Sequence, residues 1–83
     1  MNVIQVKHID GVNTHAYTFQ LPPGVMVKQG TLLLVDTRFG PQIVKAVSDS
    51  VNIEDENILK MVAGGRRVRR KVIGIYNLLE LVF

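Results

Sequence analysis

The 83-residue chain contains no cysteine and no tryptophan. Without cysteine there can be no disulfide and no zinc–thiolate site, and a reducing interior is the natural setting. No apolar run reaches the roughly 18 residues that a membrane-spanning helix needs. The opening residues MNVIQVKHID lack the basic start and long apolar centre of a secretion signal. The expectation is a soluble cytoplasmic protein with no membrane association. There is also no internal repeat, low-complexity tract or linker, so residues 1–83 read as one small domain. A chain this short buries only roughly 60–65% of its unfolded surface.

Catalytic signatures are equally scarce. Ser48 and Ser50 have no histidine near them in sequence, and Gly64-Gly65 lacks the Gly-Lys-Ser/Thr ending of a phosphate loop. The carboxylates Glu54, Asp55 and Glu56 cluster where a helix start explains them. His8, Asp10 and His15 have the residue types of a metal site. However, the two histidines sit on either side of a turn, and His15 shares an apolar face, so surface and partly buried histidines explain them better. The sequence therefore points to a protein that is not an enzyme and has no metal or cofactor.

What the chain does have is apolar content and unevenly placed charge. Hydrophobic residues make up 47% of the sequence, which is ordinary for a globular domain and too high for disorder. The net charge is +3, drawn from ten basic and seven acidic residues. Five of the ten basic residues (Arg66, Arg67, Arg69, Arg70 and Lys71) fall within residues 66–71, while Asp49, Glu54, Asp55 and Glu56 lie within 49–56. Such clustering predicts an acidic side and a basic side.

Hydrophobic periodicity places the elements. Residues 2–9 alternate Ile4 and Val6 with Gln5 and Lys7, as a half-buried strand does. Asp10-Gly11 is a hairpin-turn signal. Residues 14–21 form a second strand with His15, Tyr17, Phe19 and Leu21 on one face. Pro22-Pro23-Gly24 ends it. The run 31–36 (TLLLVD) is continuously apolar, which predicts a strand covered on both faces. A turn through Arg38, Phe39 and Gly40 returns the chain along 42–49. Asn52 or Asp55 can cap a short helix that carries Ile58, Leu59 and Val62 on one face and stops at Gly64-Gly65. Residues 66–76 read as a strand, and Tyr76 reads as a core residue with its hydroxyl at the rim. The tail NLLELVF is either a short helix or a last strand. The fold class expected is mainly β: a small antiparallel, partly open β-barrel, SH3-like or OB-like, with one short helix before the last strand. Consecutive strands with short turns further suggest a meander.

Residues 17–47, YTFQLPPGVMVKQGTLLLVDTRFGPQIVKAV, carry a recognisable order of features. An aromatic strand leads into Pro-Gly, then Val27-Lys28-x-Gly30, alternating aliphatics, a turn at Gly40 and a strand ending at Val47. This stretch resembles the small N-terminal barrel of the PriA primosomal helicases and the C-terminal domain of the bacterial polymerase-suppressor family, differing at Thr31 and Ala46. The resemblance implies a small barrel and, through PriA, recognition of DNA ends or forks.

Two functional readings follow. In the first, the basic run contacts nucleic-acid phosphates. On an extended 66–71, Arg67, Arg69 and Lys71 would share one face, and Arg66 and Arg70 the other. Three cations spaced every second residue match a phosphate track, and arginine forks bind phosphate oxygens in pairs. Arg38 and Phe39, in a turn, are the secondary contacts, and Phe39 is the best candidate for stacking on a base. The bland counterpart is a solvated strand whose charges protect an edge. In the second reading the protein is an adaptor. Leu78, Leu79, Leu81, Val82 and Phe83 would form a homo-oligomer interface or dock a protein partner, unless the tail closes its own barrel.

Overall fold

The structure, a computed structural model, describes residues 1–9, 15–68, 70–76 and, by their backbone, 81–82. It is mainly β, as the patterning predicts. The strands are β1 (Asn2–His8), β2 (Tyr17–Gln20), β3 (Leu32–Thr37), β4 (Gly40–Ala46), β5 (Val51–Asn52), β6 (Val72–Tyr76) and β7 (Leu81–Val82), and the helix α1 (Glu56–Val62) precedes β6. The Asp10-Gly11 turn lies outside the described residues.

Strand pairing departs from a meander. The sheet order is β2-β1-β4-β3-β6-β7, with β5 pairing to β1 off this path. β2 and β3 are therefore not neighbours, although they are consecutive. The reason lies in the segment between them. Pro22 and Pro23 have no N–H to give to a ladder. Asn2 Nδ2 also donates to the carbonyls of Pro22 at 3.0 Å and Val25 at 2.6 Å. These bonds hold the segment across one end of the barrel, with Leu21 and Val27 buried beneath it. β3 then starts on the far side of β4.

The sheet curls into a half-barrel around one main core. Ile4, Val6, Phe19, Leu21, Leu33, Val35 and Val44 are the centre of that cluster. Burying each such side chain contributes about 1.5–3 kcal/mol relative to leaving it in water. The alternation of Ile4 and Val6 follows directly from the period of two. β3 does not have both faces fully covered: Leu33 and Val35 are buried, while Leu32 and Leu34 are half-buried. The curl is tightened where Gln20 and Lys71 form a parallel bridge. Gln20 N–H donates to the Arg70 carbonyl at 2.9 Å, and Asp36 N–H donates to the Lys71 carbonyl at 3.3 Å. Residues 70 and 71 thus tie β2 to β3 across the open side.

The helix is fixed at both ends by local chemistry. Asp55 is its N-cap, accepting from Asn57 N–H at 2.8 Å and from Ile58 N–H at 3.4 Å. At the other end, Gly64 N–H donates to the Met61 carbonyl and Gly65 N–H to the Lys60 carbonyl. That crossed pair is a Schellman stop, and it requires a left-handed residue just past the cap. Gly64, at φ +67°, supplies it. Leu59, Val62 and Ala63 pack on a second small cluster of Val3, Ile53 and Val68. Ile58, expected on the packed face, is instead about half exposed. It is one residue out of step with the stripe formed by Leu59, Val62 and Ala63. Tyr76 is also more exposed than its sequence position suggests, at 41%.

Candidate nucleic-acid interface

The basic run is not a continuous strand. Two causes set its path. The left-handed pair Gly64 and Gly65 (φ +67° and +82°) turns the chain sharply off the helix. Val68 is then drawn into the small core under α1, where it is 8% exposed. The regular ladder starts only at Val72. The face assignment drawn from alternation therefore fails. Arg66, Arg67, Arg70 and Lys71 project from a connector pinned by one buried valine and by the carbonyls of residues 70 and 71. All four are exposed. Arg69 lies outside the described residues.

Arg38 and Phe39 form the tip of the β3–β4 hairpin. Register places Thr37 opposite Gly40, leaving these two residues as the turn. Thr37 Oγ1 accepts from Phe39 N–H at 3.1 Å and donates to the Gly40 carbonyl at 2.7 Å. Gly40, at φ +98°, occupies a conformation that side chains beyond glycine rarely adopt. The turn is thus firmly held while its side chains stand clear. Phe39 is 76% exposed, and the Arg38 guanidinium sits 4.8 Å from its ring centroid. That is cation–π range.

β1 and β2 add an aromatic mouth at the same end of the barrel. Val6 pairs with Tyr17, and the alternation that buries Ile4 and Val6 carries His8 onto the same face. The His8 ring meets Tyr17 edge-on at 5.6 Å, and the His15 ring does so at 4.8 Å. The two histidines converge on a tyrosine ring. The signal for this mouth was present in the sequence, because His15, Tyr17 and Phe19 alternate on one face. Yet only the ladder shows that His8 joins them.

These elements enclose two adjoining grooves that share Tyr17, Phe19, Arg66 and Arg70. One, of ≈ 430 Å³, lies between His8, the Arg38-Phe39 tip and Arg66 and Arg70. The other, of ≈ 450 Å³, continues past His15 and Gln5 toward Gly64 and Arg67. The structure thus brings Arg38, Phe39, Arg66 and Arg70 to one concave surface, with Arg67 in its extension. Lys71 lines neither groove and contributes its backbone to the bridge described above. Among the described residues, no carboxylate lines either groove. Nor do Arg38, Arg66, Arg67 or Arg70 form an ion pair there. A further groove beside the helix shares Arg66, Arg67 and Val68 with the second one, and Glu56 lines it.

The tail meets its own sheet. Leu81 and Val82 pair as β7 with Tyr76 and Ile75 of β6. Leu78, Leu79 and Phe83, the other residues of the expected oligomer interface, lie outside the described residues. No helix among the described residues is long and apolar enough to cross a membrane.

Comparison with family models, curated proteins and solved structures yields no match to this chain. Function must therefore be reasoned from the site itself.

Proposed function

We propose that the protein is a non-enzymatic module that binds nucleic acid, DNA in preference to RNA, through phosphate contacts in the basic grooves. The observation that carries this reading is the arrangement of Arg38, Arg66 and Arg70 around a single concave surface that, among the described residues, no carboxylate lines. Arg67 extends the same charge along the adjoining groove. Guanidinium groups gathered along these grooves repel one another, and a bound polyanion relieves that repulsion. Guanidinium forks suit phosphate oxygens in pairs. The resemblance of residues 17–47 to the PriA barrel supports the same assignment.

Phosphate binding of this kind releases condensed counterions, so affinity falls steeply with salt. Fluorescence anisotropy with labelled single- and double-stranded DNA, at low and at near-physiological salt, tests it. The expected result is binding at low salt that weakens by at least about tenfold as salt rises fourfold. Absence of binding to both DNAs at low salt would overturn the proposal.

A further inference from the structure

We infer that the groove takes an unpaired strand, and that the Phe39 ring receives one of its bases. This rests on the phosphate-binding reading and adds the state of the nucleic acid to it. Phe39 sits at a turn that Thr37 and Gly40 hold in place, and the residue is 76% exposed. Arg38 covers it at 4.8 Å. An exposed aromatic ring offers a flat apolar face, and a base can stack on it. In a duplex the base faces already cover one another. In a single strand they are available, and stacking on an aromatic side chain contributes ~1–3 kcal/mol per base.

The geometry of the groove agrees. Phe39 lines the same ≈ 430 Å³ space as Arg66 and Arg70, so a stacking surface and phosphate partners are offered together. The Arg38 guanidinium places positive charge over one face of that ring.

The test uses the full chain and three DNA probes: an oligothymidine, a strand of the same length made of abasic sites, and a hairpin duplex. The wild-type protein should bind oligothymidine about 5- to 100-fold more tightly than the abasic strand. It should also prefer oligothymidine to the duplex. Phe39→Ala should lose that preference and bind oligothymidine no more tightly than it binds the abasic strand. Because the chain has no tryptophan, Phe39→Trp introduces a lone indole whose emission should be quenched by oligothymidine and not by the abasic strand. The inference is overturned if the abasic strand or the duplex binds as tightly as oligothymidine, or if Phe39→Ala keeps the preference. Failure of all three probes to bind at low salt would overturn the phosphate reading, and this inference with it.

Discussion

The two ends of the barrel use charge in opposite ways. At the end crossed by Pro22-Pro23-Gly24, polar groups serve the fold. Asp49 Oδ1 accepts from Gln29 N–H at 2.8 Å, and its other oxygen lies 4.0 Å from Lys28 Nζ. Ser50 Oγ accepts from Val27 N–H at 2.8 Å. The terminal ammonium donates to the Ile53 carbonyl at 2.8 Å and lies 3.9 Å from Glu54. At the other end, Arg38, Arg66 and Arg70 surround a groove that no carboxylate among the described residues lines. Charges that cap or clip a loop are explained by folding. Like charges gathered around a cavity are not, since they oppose the compact state. That contrast is the ground for proposing a binding surface at the basic end.

Stability measurements sharpen this contrast, because the two ends should respond differently. The largest effect belongs to the core that supports both. Leu33 is fully buried, and Leu33→Ala should cost ~2–5 kcal/mol in urea denaturation, with loss of the folded state removing any DNA binding. Next comes Asp55→Ala, which deletes the helix cap and should cost ~1 kcal/mol while leaving the groove's affinity for DNA unchanged. Asp49→Ala should cost about 0.5–1.5 kcal/mol, almost all from the lost bond to Gln29 N–H. Its exposed pair with Lys28 adds little. Smallest is the pair Arg66→Gln/Arg70→Gln. Its stability should stay within ~0.5 kcal/mol of wild type, because these exposed side chains hold nothing in place. A large loss of stability in that variant would mean that the arginines serve the fold after all.

Much of the fold was legible from local chemistry. The period of two in Ile4 and Val6, and in Tyr17, Phe19 and Leu21, marks strands because alternate side chains must reach one core. Asp55 and Gly64-Gly65 mark the helix because its ends leave orphan N–H and carbonyl groups. Strand partners were not legible, since apolar alternation says which face is buried and not which neighbour pairs. Hence β1 between β2 and β4 was missed, as was the short β5 at Val51–Asn52. For the site, Arg38, Phe39 and the basic run were identifiable by residue type. Their grouping was not. Alternation put Arg67, Arg69 and Lys71 on one track, but Val68 obeys the small core under α1 in preference to a strand period. The outcome is that Arg66 and Arg70 meet Arg38 and Phe39. The contribution of His8 to the mouth depended on a ladder that no local pattern reveals.

The central claim is that position, not net charge, governs binding. It is tested most directly by two variants that each remove two positive charges. Arg66→Gln/Arg70→Gln strips the groove, while Lys28→Gln/Lys45→Gln removes exposed cations that line neither groove. Both are titrated with the same labelled single-stranded DNA at about 0.1 M salt, where charges beyond ~10 Å are largely screened. The expected result is at least a tenfold loss for the arginine pair, with a salt slope shallower by about two, and a change within about threefold for the lysine pair. Equal losses in the two variants would contradict the claim and reduce the basic run to a diffuse charge on a wet surface.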